Sequence, residues 1–435
     1  MAQPHRLRSL AVLFLKLGII GFGGPQAHIA MQHEEAVVRR GWLSEEAFTE
    51  GLALCEMLPG PASTQMGIYL GYVRAGHWGA IVSGVCFIAP AYLIVLLLSW
   101  GYFRFQNLPQ VSALFLGVSP VVTAIVLAFC WQLGQKVLKG WQRLTLAIVV
   151  FLTTALTSVS VLFQFVICGV LGCFWFRSPP PPPSQSSDPS DSPKSPDSSQ
   201  SSQGSAFAPL RLSPPAYRPP LGRMMSAWLL PFVGTTVSVT SLSSFWGFDR
   251  LREFALPLGV FFLKVGTLIF GGGLVIIPLL EFEVVERFRW LTHTEFINGV
   301  AIGQLTPGPV VLTAAFVGYK VAGVIGSLIA TIAIFLPSFL FILLATPLLL
   351  RLRQNPWIKA FLQGVTPAVL GAISAAVLPI AQTSLIQPQW SQTVIALGIL
   401  SASLLALIRF KTPTWQLVPA GAIVGLSLGT WVIGG

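Results

Sequence analysis

Apolar runs of a length suited to membrane crossing recur near 10–31, 51–73, 78–103, 110–134, 224–247, 257–280, 299–319, 322–349 and 357–381. About 20 apolar residues span a hydrocarbon core of roughly 30 Å. Four shorter runs, near 144–158, 160–176, 391–408 and 414–432, are thin spans or half-length hairpins. The pattern predicts an all-α polytopic membrane protein with about 13 transmembrane segments, short half-length helices included. Composition agrees: 54% of the 435 residues are hydrophobic and 9% charged, and the mean hydropathy is +0.75. Such a chain lacks the polar surface of a water-soluble globule. The first run follows His5, Arg6 and Arg8 without a small-residue cleavage site, and is expected to remain as a helix.

The pattern breaks once, at "SPPPPPSQSSDPSDSPKSPDSSQSSQGS". This stretch has too little apolar area to order itself, which predicts a disordered linker over 178–223. A proline-rich ligand for an SH3-type partner is the alternative reading of its proline run. The chain then divides into a first transmembrane repeat (1–177), the linker, a connecting transmembrane helix (224–248) and a second repeat (249–435).

The two halves share a sequence. "FLKLGIIGFGG" from Phe14 returns as "FLKVGTLIFGG" from Phe262, an offset of 248, and the same offset aligns "EMLPGP" with "QLTPGP". With one residue of slippage "YVRAGHWG" matches "YKVAGVIG". Basic loops stay cytoplasmic. If every run crosses, Arg6, Arg8, Arg74, Lys136, Lys139, Arg143 and Arg177 share the starting side of the first half, against Arg39, Arg40 and Arg104. In the second half the starting side holds only Arg250, Arg252 and Lys320, against Arg287, Arg289, Arg351, Arg353, Lys359, Arg409 and Lys411. Two homologous inverted-topology repeats are therefore expected, with the N-terminus and linker cytoplasmic, a common build of secondary transporters.

Each half carries two helix breaks, FGGP or FGGG and then PGP. Glycine and proline end the hydrogen-bond ladder, so in lipid the freed backbone groups must be met by protein, water or ligand. Helices restarting at Pro25 and Pro61 would aim free N–H groups inward, an anion site. Gly23, Gly24, Gly60, Ser63, Thr64 and Gln65 would contribute to it, with Gly271, Gly272, Gly273, Thr306, Gly308 and Pro309 as second-half counterparts. Close helix packing through small residues is the competing reading.

Charges within spans are functional suspects. Lys16 and Lys264 either pair with a dianion or snorkel to the interface. Glu56, replaced by Gln304 in the second half, is a proton carrier or a helix-end partner. His28 is an oxyanion donor or a packed histidine. Arg39 and Arg287 gate the anion path or pair with Glu35 and Glu283. The five cysteines sit in apolar runs without metal-ligand spacing, and no enzyme, cofactor or nucleic-acid signature is present.

The ordered set "FGGPQAH", "RRGWLSEEAF", "LPGPASTQMG" and "YVRAGHWGA", followed by "FGGG", "RWLTHTEFINGVAIGQLTPGP" and "FVGY", resembles the two-domain chromate ion transporter family across almost the whole chain outside the linker. The resemblance implies a bacterial inner-membrane antiporter that expels chromate in exchange for protons, built from two oppositely oriented halves. The chain departs from that family's pattern at Gly273, Leu274 and Val275, where FGGAYA is usual, and at "FIAPAYL", which lacks a serine after its proline. Uptake or exchange of a sulfate-like dianion, and a membrane scaffold or sensor without a transport cycle, are the alternatives. A homodimer is one assembly the sequence allows.

Overall fold

In the computed structural model, residues 3–157, 159, 161–176, 245–269, 276–346, 356–387 and 389–433 are described. The linker, nearly all of the connecting segment and Gly271, Gly272 and Gly273 lie outside them. Every element among the described residues is helical.

The apolar run near 10–31 does not cross as one helix. α1 (Gln3–Ile20) ends before Gly21, and α2 (Gly24–His33), extended by a π-helical turn Glu34–Arg39, comes back beside it. Lys16 Nζ lies 2.9 Å from Glu35 Oε1, and Arg40 Nη1 donates to Ser9 Oγ at 3.2 Å. A continuous helix would hold Lys16 and Glu35 about 28 Å apart at 1.5 Å per residue. The chain is therefore a helical hairpin with FGG at its tip.

The run near 51–73 is a second hairpin. α3 (Glu45–Met57) starts at the Ser44 cap and ends before the Pro59-Gly60-Pro61 turn, and α4 (Ala62–Phe105) returns along it. Tyr69 covers Gly51, and the Arg74 guanidinium lies 5.2 Å from the Trp42 ring centroid. α4 itself reverses at Ala75 and Gly76, where the backbone leaves helical geometry. The backbones of Gly71 and Gly79 touch as a result. α4 thus has a short first arm and a long second arm, 77–105. α5 (Pro109–Val137), α6 (Trp141–Leu156) and α7 (Val161–Trp175) complete the half.

The second half repeats this plan. α8 (Phe248–Gly266) is followed by α9 (Ile276–Leu280) with its π-helical turn Glu281–Arg287. α10 (His293–Leu305) opens with a Thr292/Glu295 capping box. A 3-10 turn, Val310–Leu312, leads into α11 (Thr313–Ala345), which reverses at Ala322 and Gly323. α12 (Pro356–Leu385), α13 (Trp390–Arg409) and α14 (Thr414–Ile433) close the chain.

These hairpins correct two expectations. The runs near 10–31 and 51–73 are not single crossings, and Arg39 and Arg40 return to the side of Ser9 instead of lying across the membrane. Arg287, the counterpart of Arg39, ends the matching π-helical turn and Arg289 lies two residues on, so the basic-residue count no longer separates the two sides of that half. Among the described residues five helices are long and apolar enough to cross a bilayer: Ala62–Phe105, Pro109–Val137, Val310–Leu344, Ala360–Leu385 and Trp390–Arg409.

Matching helices of the two halves meet in opposite directions. Gly84 on the second arm of α4 meets Phe339 on that of α11, while Phe103, near the far end of α4, stacks on Tyr319, just before α11's reversal. α5 and α12 behave likewise, with Gly134 near Leu370 and Thr123 Oγ1 2.7 Å from Ser384 Oγ. The last hairpin of each half is exchanged: α7 lies along α12 at Gly172 and Gly364, and α14 along α5 at Gly425 and Gly117.

Contact at Gly117 is backbone on backbone, so a methyl there would overlap the Gly421 carbonyl, whereas Gly101 faces open space. Gly117→Ala is expected to destabilise the protein by about 1–3 kcal/mol through overpacking, and Gly101→Ala to leave it unchanged. Thermal unfolding of both variants in detergent checks the difference.

Candidate functional site

The site lies where the two halves meet, and its framework is a reciprocal pair of hydrogen bonds. Gly60 N donates to Ile269 O at 2.6 Å, and Gly308 N donates to Gly21 O at 2.8 Å. Gly60 and Gly308 are 248 residues apart, as are Gly21 and Ile269. The PGP tip of each half therefore binds the first tip of the other, as twofold-related surfaces do. Both PGP glycines have positive φ, +131° and +97°, which side chains disfavour. A Cβ on Gly60 would also reach 2.5 Å from Gln65 Nε2.

Beside these tips lies a cavity of about 510 Å³ lined by Gly23, Gly24, Pro25, Gln26, Glu56, Gly60, Gln132, Lys136, Gln304 and Thr414, with apolar Ile29, Phe129 and Val310 among the rest. α2 begins here with Pro25 in its first turn and no side-chain cap. Its first-turn N–H groups have no intrahelical acceptor and carry the positive end of the helix dipole. Glu56 is exposed at the cavity, not buried as an intramembrane carboxylate would be. Gln304, at the position matching Glu56, faces the same space, so the pair contributes a carboxylate and an amide to one wall. The cavity can hold an anion between a helix N-terminus and the Lys136 ammonium.

Other predicted residues take supporting places. Lys16 faces Glu35 within a network that includes Arg39 at 3.5 Å and Arg40 at 3.3 Å, so its ammonium has a carboxylate partner away from the cavity. His28, 1% exposed, donates from Nε2 to Gly21 O at 2.8 Å and stands edge-on to Phe87. It fastens the carbonyl that Gly308 also uses. Gln65 donates to Pro59 O at 2.6 Å and closes the PGP turn, while Ser63 and Thr64 are buried away from the cavity wall. Thr306 donates to the carbonyls of Ile302 and Gly303, each at 3.1 Å. Pro309 is the N-cap residue of the 3-10 turn. Arg39 pairs with Glu34 at 3.0 Å and Arg287 with Glu283 at 3.0 Å. Lys264 is exposed on α8 and lines neither cavity.

Sequence reasoning counted Lys136 only as a loop charge and passed over Gln132 and Thr414. Their signal was weak, because single polar residues near helix ends are ordinary. It also missed a second cavity, of about 470 Å³, on the face of α10's first turn. There Asn298 Nδ2 donates to Tyr102 Oη at 3.0 Å, and Ser119 Oγ lies 3.5 Å from Asn298 Oδ1. Glu295 on its wall is bonded to Lys320 at 2.6 Å. The first cavity runs from the joined tips past α5's C-terminal end, and the second lies at α10's N-terminal end and is lined by no tip residue.

Comparison with known proteins finds the chromate transporter family matching residues 8–173 and 256–426. A chromate transport protein of Cupriavidus metallidurans is 34% identical over 427 residues, covering 98% of this chain and 94% of that protein. A probable chromate transport protein of Synechococcus elongatus is 32% identical, covering 88% and 86%, and a chromate transport protein of Pseudomonas aeruginosa is 28% identical, covering 99% and 93%. No solved structure matches the chain. The family's pattern runs through both hairpin-bearing halves and across the tips that join them: this multi-pass membrane protein belongs to the chromate transporter family.

Proposed function

We propose that the protein exports chromate, or a related tetrahedral oxyanion, across the bacterial inner membrane by proton-coupled antiport with alternating access. The observation that carries this reading is the cavity beside the joined tips. An uncapped helix N-terminus and a lysine favour a dianion there, and a carboxylate at the same wall can take the proton that returns. Glu56 is that carrier in this scheme: it takes the proton inward while the site is empty and gives it up before the dianion settles against α2 beside Lys136, so that the two move in opposite directions. Membership of a family whose relatives are named chromate transport proteins supplies the substrate.

Alternating access follows from an inverted arrangement of the halves. Equivalent helices that pair antiparallel, as α4 with α11 and α5 with α12 do, suit a pseudo-twofold axis in the membrane plane. In this reading the first half starts in the cytoplasm, where Arg6, Arg8, Arg40, Arg74 and Lys139 gather, and the second starts outside.

In proteoliposomes, chromate flux should follow an imposed pH gradient. Lys136→Ala should weaken chromate binding about tenfold, or about 1.4 kcal/mol. Glu56→Gln should abolish gradient-driven flux while chromate still binds, measured by equilibrium dialysis; loss of binding and flux together would give Glu56 a structural role.

The orientation has its own test. In a background with the five native cysteines replaced by alanine, His77→Cys and Val324→Cys mark the equivalent reversals of α4 and α11. An impermeant maleimide should reach them from opposite faces of the membrane. Labelling from one face would exclude the inverted arrangement.

A further inference from the structure

One interaction occurs in both halves with its partners exchanged. His33, the last residue of α2, places Nε2 2.8 Å from Glu45 Oε2, at the start of α3. The offset of 248 carries His33 onto Glu281 and Glu45 onto His293. There His293 Nδ1 lies 3.1 Å from Glu281 Oε1. The acid and the base have swapped positions, yet the bridge between first hairpin and second hairpin survives. None of these four residues lines either cavity.

We propose that the two bridges are proton-responsive latches, one per half, which tie the hairpins of each half together when the imidazole is protonated and release them when it is not. This rests on the transport reading for its purpose, since the tied hairpins are those whose tips form the anion cavity.

The second bridge has an additional carboxylate. His293 Nε2 also lies 3.1 Å from Glu286 Oε1, so a carboxylate faces each ring nitrogen. Only the imidazolium has two N–H donors; a neutral ring turns one lone pair towards a carboxylate. Burial, and then the charge of Glu286, push the Glu281 carboxyl up to about 7. The group lies beyond the apolar run that ends at 280.

Surrounding charges are otherwise committed. Near His33, Glu34 pairs with Arg39, and Glu35 with Lys16, Arg39 and Arg40. The Phe48 ring of α3 stands edge-on to the imidazole. Near His293, Arg287 pairs with Glu283, and Glu295 of α10 pairs with Lys320 of α11. The position matching Glu286 in the first half is Val38, so the first latch is a simple pair. A divalent cation could compete for Glu281, Glu286 and His293, which lie within ligand reach of one another.

Hydrogen exchange of the full protein in nanodiscs, read at 33–57 and 281–305 between about pH 5.5 and 8.5, tests the latches without requiring transport. Protection should fall roughly tenfold from the acid to the alkaline end of that range. His33→Gln together with His293→Gln should flatten that dependence. The exchanged double variants, His33→Glu with Glu45→His and Glu281→His with His293→Glu, should restore it, because each half already tolerates the other's arrangement. Unchanged pH dependence in the glutamine variant would overturn the proposal. So would a shift of the wild-type profile on adding zinc or a chelator, which would assign the second cluster to a metal. If the exchange behaves as expected while chromate flux is absent, the transport reading fails and the latches stand.

Discussion

Backbone groups that no helix satisfies are the constraint on which this structure turns. In hydrocarbon each one costs several kcal/mol if left unmet, and this chain interrupts its helices repeatedly at glycine and proline. At the tips the two halves solve the problem jointly. Gly60 bonds to Ile269 and Gly308 to Gly21, while His28 adds a second bond to the Gly21 carbonyl. The tips are thereby fixed at the contact between halves, and α2's uncapped first turn is left facing the adjacent cavity.

From that constraint the remaining architecture follows. Tips can meet at the centre only if the chain turns back there, so the first two apolar runs of each half become hairpins. Their bases need anchoring where charge is tolerated, and the Lys16, Glu35, Arg39, Arg40 network and the Glu283–Arg287 pair do this. The long second arms of α4 and α11, with α5 and α12, supply the apolar wall. Each half's last hairpin is then placed on the other half's long helix, so neither half is packed without its partner.

Much of this was legible in the sequence because duplication leaves an offset that can be read directly. The FGG and PGP breaks and the all-helical build came from that offset and from hydropathy, and Gly23, Gly24, Pro25 and Gly60, expected at an internal anion site, line a cavity. Reversal at the breaks was not legible, since a hairpin arm is as apolar as half a span. The complementary charges of Lys16 and Glu35, nineteen residues apart, were the available sign. Ser63, Thr64 and Gln65 were placed in the site on type alone. Helical geometry turns them inward, where Gln65 braces the turn. Lys136 was passed over because its run gave no hint that α5's end returns to the tips.

In the proposed function the joined tips hold the transported anion. Chromium supplies an anomalous signal, so diffraction from crystals grown with chromate at the chromium edge locates it without assumption. A peak is expected beside Gly23, Gly24 and Pro25, within reach of Lys136. A peak confined to the cavity around Asn298 and Tyr102, or none near the tips at saturating chromate, would contradict the account.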